Sequence, residues 1–147
     1  MRRGQIGTES PQRVIFIWEG AVAALPDHKM VRAWERVCCN LARWDQAVGY
    51  WKAHTWALAL MWSLNQRTPW RIDICVTSRG PSFTKALSAR VTQENWPVRY
   101  VFCEPDLGRK LAQMPDVERV FYGIEEQRFQ YGPQGYFLDP SQPITVS

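Results

Sequence analysis

Arg13-Val14-Ile15-Phe16-Ile17-Trp18 is an unbroken apolar run behind one arginine, and Glu19-Gly20 closes it. A short apolar run bounded by turn residues reads as a strand covered on both faces. Later segments have the same character. Arg71-Ile72-Asp73-Ile74-Cys75-Val76-Thr77 is rich in β-branched residues, which suit a pleated, buried surface. Residues 98–103 and 117–122 read as a third and a fourth strand, and Tyr136-Phe137-Leu138 as a short fifth.

The segments between these runs have helical periodicity. Pro26-Asp27 starts a helix with Asp27 as N-cap. Met30, Trp34, Val37, Cys38 and Leu41 then fall on one helical face, which is expected to pack on the core. Gly49 marks a break, and a second helix is expected over 50–64. Trp51, Thr55, Leu58 and Trp62 form its stripe, and Ala57, Leu60 and Met61 widen it. Ser78-Arg79-Gly80-Pro81 reads as a sharp turn. Ser82 then caps a helix to about residue 95. A short helix over 107–113 stops at Met114-Pro115. Residues 125–130 offer a turn of helix, and Gly132-Pro133-Gln134-Gly135 a tight turn.

Strands alternating with helices predict an α/β fold: a single three-layer, Rossmann-like domain. Its sheet has about five mainly parallel strands with helices on both faces, right-handed connections and no large cap domain. The expected boundaries are an N-terminal arm over 1–12, the domain over 13–138 and a C-terminal tail over 139–147. The length of 147 residues suits one domain and a core that needs no disulfide or metal staples. With 46% hydrophobic and 22% charged residues, the chain reads as globular rather than disordered.

Several function classes fall away at this level. A net charge of +4 is too weak alone to imply nucleic acid. No apolar stretch follows the charged start, so no secretory signal is read. The longest apolar stretch, 56–64, is about half of a membrane span. The expected location is the cytoplasm, or a particle assembled there, with no membrane contact. Cys38, Cys39, Cys75 and Cys103 lack C-x-x-C spacing and read as reduced structural thiols. His28 and His54 lack ligand spacing, and no metal site is expected.

In such sheets ligands bind beyond the C-terminal strand ends. Four strand ends, Trp18 to Ala21, Thr77 to Gly80, Cys103 to Asp106 and Tyr122 to Glu126, with the segments Glu19-Gly20, Val76-Thr77-Ser78-Arg79, Lys110 ahead of the fourth strand and Val120-Phe121-Tyr122-Gly123, resemble in order and spacing the haloacid-dehalogenase-like superfamily of phosphohydrolases. The resemblance spans residues 13–138. Members carry Asp, any residue, Asp, Gly, Thr after the first strand. Aligning the glycine places Glu19 at the second, acid/base Asp and Ile17 at the nucleophilic one. Thr77 matches the Thr or Ser that ends the second strand. Lys110 (or Arg109) stands where the family's lysine falls. The magnesium-binding acids would fall at Tyr122 and Gly123, with Glu125 and Glu126 slightly downstream.

The departures bear on chemistry. The family's reaction needs a carboxylate to attack phosphorus, and Ile17 has no nucleophilic atom. Magnesium wants hard oxygen ligands, and Tyr122 and Gly123 supply no carboxylate. The resemblance therefore points to the scaffold and away from its usual reaction, with no catalytic residue and no cofactor expected. On the alternative reading Glu19, Thr77 and Lys110 serve a divergent magnesium-dependent phosphohydrolase, or Thr77, Ser78 and Arg79 bind a phosphate ligand. The bland reading of the last three is a turn whose hydroxyls satisfy the backbone. Two adjacent exposed acids at Glu125 and Glu126 read more simply as a solvated helix start.

Eight tryptophans exceed what a small sheet can bury. Core packing absorbs most of Trp34, Trp51, Trp56 and Trp62. Trp44, Trp70 and Trp96 lie near element ends and are the candidates for a partner surface, with Phe129, Tyr131, Tyr136 and Phe137 adding to it. A second alternative is a nucleic-acid-associated protein. It uses Arg2, Arg3 and Arg13 with Arg32, Arg36 and Arg43, a stripe that Glu35 and Asp45 interrupt. The reading that follows is a catalytically inactive domain that binds a protein partner or its own copies, as an accessory or structural subunit, including one of a viral (for example phage) particle.

Overall fold

The structure, a computed structural model, describes residues 12–141. Most of the expected arm, Arg2 and Arg3 included, and the tail beyond 141 lie outside the described residues. In chain order the elements are β1 (Arg13–Ile17), β2 (Ala23–Ala24), α1 (Lys29–Asn40), α2 (Trp44–Gly49), β3 (Lys52–Ala53), α3 (Thr55–Arg67), β4 (Arg71–Val76), α4 (Gly80–Gln93), β5 (Tyr100–Cys103), α5 (Leu107–Lys110), β6 (Val117–Tyr122) and β7 (Gly135–Phe137).

Five strands form one sheet in the order β5-β4-β1-β6-β7, and every pairing is parallel. Ile15 of β1 stands opposite Asp73 of β4 on one side and Val120 of β6 on the other. The chain steps from β1 to β4 and β5 in one direction, then returns to β6 and β7 on the other side of β1. Right-handed connections on the two sides of such a strand lie on opposite faces. Val14 to Ile17 are all fully buried, which is why the run carries no polar alternation. The α/β class, the parallel sheet and a single domain are as the sequence predicts, and no separate cap domain stands among the described residues.

Aromatic rings lock the two faces. Phe16 stacks on Phe121 with centroids 4.6 Å apart. Trp18 packs against Trp51 at 5.9 Å and Trp96 at 6.3 Å. The Arg90 guanidinium lies 5.3 Å from the Trp96 ring centroid and donates to the Trp51 carbonyl at 3.1 Å. At the opposite end of the sheet Arg13 pairs with Asp73 at 3.0 Å and with Asp116 at 3.2 Å.

The structure corrects several local expectations. The first helix is capped by His28, whose Nδ1 accepts from the Met30 amide at 3.2 Å, not by Asp27. The helix expected over 50–64 begins later, because the two-residue strand β3 takes its start and α3 opens at Thr55, and a separate helix, α2, precedes it. β3 pairs antiparallel with β2, so α1 and α2 are inserted between two paired strands. Trp96 is only 8% exposed and belongs to the core, not to a partner surface. Tyr131 is buried too. Arg13 is held in ion pairs and half-buried, so it does not join a basic surface.

The largest correction concerns α1. Met30, Trp34, Val37 and Leu41 do not pack on the core: each is between 41 and 63% exposed. Glu35 and Cys38 are the buried residues of this helix. At about 100° per residue, Glu35 lies well round the helix from the apolar stripe. Burying Glu35 therefore turns the stripe to solvent. Trp62 of α3, expected in the core, is exposed as well.

Candidate functional site

β1, β4 and β6 end side by side, and the loops after them form the place where a ligand is expected. After β1 the chain makes one irregular turn over Trp18–Val22, in which Gly20 has a φ of +97°. Only glycine takes that conformation without strain. The turn aims Glu19 back across the end of β4, and Glu19 is 2% exposed.

The Glu19 carboxylate fills the turn after β4. It accepts from the Thr77 amide at 3.0 Å, the Ser78 amide at 2.7 Å, the Thr77 hydroxyl at 3.1 Å and the Ser78 hydroxyl at 2.8 Å. Two backbone amides and two hydroxyls converging on one point make a site for an anion. Here the anion is the chain's own. Such charge-assisted bonds are about twice as strong as neutral ones, and they satisfy a buried carboxylate from the half-buried Thr77 and the exposed Ser78.

Arg79, the third residue of the sequence-read phosphate group, is also taken. Its Nε donates to Glu35 at 2.9 Å and its Nη2 to the other oxygen at 3.1 Å, a two-pronged pair. Glu35 also accepts from the Trp51 indole at 3.2 Å, and the Arg79 guanidinium lies 5.2 Å from the Trp51 ring centroid. The bond to Glu35 pushes the Arg79 pKa up. This cluster ties α1 to the start of α4. Reading the sequence missed it, because Glu35 and Arg79 are far apart in the chain. Its one trace was an acid standing alone in a basic helix.

The third strand end is closed by backbone packing. A Cβ on Gly123 would stand 2.2 Å from the Gly20 carbonyl oxygen and 2.6 Å from the Ala21 nitrogen. The loops after β1 and β6 therefore touch without room for a side chain. Gly123 is one of the two positions where the resemblance implies a magnesium-binding acid. Ile17, at the implied nucleophile position, is fully buried. Tyr122 packs against Tyr131 and Phe137. The residues present do not fit a magnesium site of that family: three positions, Ile17, Tyr122 and Gly123, carry no carboxylate, and Glu19 has its oxygens committed.

Burial also shifts neighbouring titratable groups. Burial pushes the Cys75 thiol well up, with the Glu19 charge adding to it. Burial, with Cys75 and Glu19, likewise raises the Tyr131 phenol. Burial lowers the His54 pKa against the opposing effect of a hydrogen bond to the Gly20 backbone. In all three groups burial is the largest cause of the shift.

The other sequence-read residues lie apart. Lys110 donates to Glu104 at 2.7 Å near the surface. No described hydrogen bond or ion pair joins Lys110 to Glu19 or Thr77. Glu125 pairs with Arg128 at 2.8 Å on a surface turn. Trp70 and Trp96 line one shallow cavity of about 360 Å³ beside Arg71 and Arg99, and Trp44 does not. Trp44 and Trp70 are half-buried against the core. Among the described residues, no three His, Cys, Asp or Glu side chains converge as metal ligands, and no helix is long and apolar enough to cross a membrane. No family model, curated protein or solved structure matches the chain.

Proposed function

We propose that this chain is a non-catalytic haloacid-dehalogenase-like domain that works by docking another protein, as an accessory subunit or a structural component of a particle. The observation that carries the reading is the Glu19 carboxylate lodged in the Thr77–Ser78 turn. Where a phosphohydrolase must receive a substrate phosphate, this chain supplies its own anion. A substrate would have to displace a buried carboxylate from four donors, with no nucleophile at Ile17 to reward the exchange.

The docking half of the reading is supported by α1. The ion pair of buried Glu35 with half-buried Arg79 holds the helix so that tryptophan, methionine, leucine and valine face outward in one line. Ordinary helices rotate such a stripe inward, and tryptophan is enriched where proteins bury surface against each other.

The test is an aryl phosphate assay with added magnesium, on purified protein beside Glu19→Gln. The expected result is no turnover above the variant and the blank. Magnesium-dependent turnover that the variant loses would overturn the reading and restore the divergent phosphohydrolase that uses Glu19, Thr77 and Lys110.

A further inference from the structure

The exposed stripe on α1 has a definite period. Met30, Trp34, Val37 and Leu41 are spaced four, three and four, the a/d spacing of a coiled-coil seam. A stripe that narrow matches the ridge of one facing helix and is narrower than the broad apolar face of a helix lying in a membrane.

Charge lies on one side of the seam. Lys29 and Arg36 are seven residues apart, so they share a row. Small Ala33 and Asn40 separate that row from the seam and leave space for a neighbour to reach it. Among the described residues no carboxylate pairs with Lys29 or Arg36, and Glu35 is turned inward to Arg79, while Arg32 lies on the far side of the helix and donates to the Asp27 carbonyl. The opposite side of the helix is packed on the domain through Glu35 and Cys38.

We propose that the α1 seam docks one amphipathic α-helix of a different protein. That helix carries an apolar ridge for Met30, Trp34, Val37 and Leu41, and Asp or Glu along the edge that lies over Ala33 and Asn40 toward Lys29 and Arg36. A second copy of this chain is the poorer occupant, because it would bring the same cations to the contact. The inference rests on the docking reading above and names the partner's chemistry.

The experiment is a display selection of three-heptad helical peptides, apolar at a and d and randomised elsewhere, against the full chain. The enriched peptides are expected to be acidic along one edge. Trp34→Ala should weaken them about tenfold or more, while leaving the melting temperature unchanged. Arg36→Glu should weaken the acidic peptides, and changing their acids to lysine should restore binding to that variant. Enrichment of nothing, of neutral or basic peptides, or of peptides indifferent to Trp34→Ala overturns the proposal. So does a dimer, or binding to phosphatidylserine vesicles or single-stranded DNA, that Trp34→Ala abolishes. Peptides that bind another face would sink this seam yet leave the docking reading standing, whereas magnesium-dependent turnover would sink that reading whatever the peptides do.

Discussion

The Glu19 carboxylate lies 2.7 Å from the Ser78 backbone nitrogen, closing the turn that follows β4 with an acid from the turn that follows β1. Two loops far apart in sequence are thereby joined at the place where this architecture would otherwise admit a ligand.

Removing that acid should unsettle the fold. Glu19→Ala leaves two amides and two hydroxyls without their acceptor, at a cost of about 3 kcal/mol in urea unfolding. Glu19→Gln keeps one acceptor oxygen and should cost about half as much. A loss under about 0.5 kcal/mol for Glu19→Ala would mean that the turn is satisfied without Glu19.

The contact between Gly20 and Gly123 predicts a second outcome. Restoring an acid at the implied metal position, Gly123→Asp, should produce misfolded protein rather than a magnesium site, because even a Cβ there meets backbone at 2.2 Å. Gly123→Ala, the gentler probe, should cost about 2 kcal/mol or more by overpacking. A soluble Gly123→Asp variant with wild-type stability and magnesium affinity would contradict this account of the site.

The pair between Glu35 and Arg79 sets the orientation of α1. Arg79→Met strands a buried carboxylate and should cost about 2–4 kcal/mol, a range that allows for the partial exposure of Arg79. Faster amide exchange should appear first in α1 and at the start of α4. Unchanged exchange in α1 would show that Glu35 does not hold the helix.

These contacts also mark the limit of what could be read from the residues alone. Strands β1, β4 and β6 are apolar runs buried on both faces, so composition exposes them directly, and their ends point to Glu19, Thr77 and Ser78. The orientation of α1 is not legible that way. Its periodicity identifies an amphipathic helix, but which face turns inward depends on a single acid meeting an arginine from another element. The pairing of β2 with β3 is hidden for a different reason: two residues per strand are too few to show alternation. Trp96 lies after α4 in a Pro-containing turn, where position near an element end mimics exposure although the indole packs on Trp18.

Stability should vary with pH in two opposed ways. The His54 pKa is lowered from 6.5 by burial, so the unfolded chain binds its proton more readily. Its contribution is full above the ordinary value and is lost as pH falls through it toward the lowered folded value. Asp73 runs the other way. Burial raises its pKa from 3.8 despite the Arg13 bond, so the strain of its charged form is relieved as pH falls into the acid range. Urea midpoints should therefore decline from about pH 7 to pH 5, and His54→Gln should flatten that decline. An unchanged slope in His54→Gln would remove His54 from the account.

The most direct measurement titrates isotope-labelled protein with orthophosphate, with and without magnesium, and follows the Thr77 and Ser78 amide resonances. With Glu19 in place, neither resonance should move saturably, because both amides already donate to its carboxylate. In Glu19→Gln the opened turn should respond. Saturable shifts of Thr77 and Ser78 in the unaltered chain would contradict the claim that this domain has filled its own anion site.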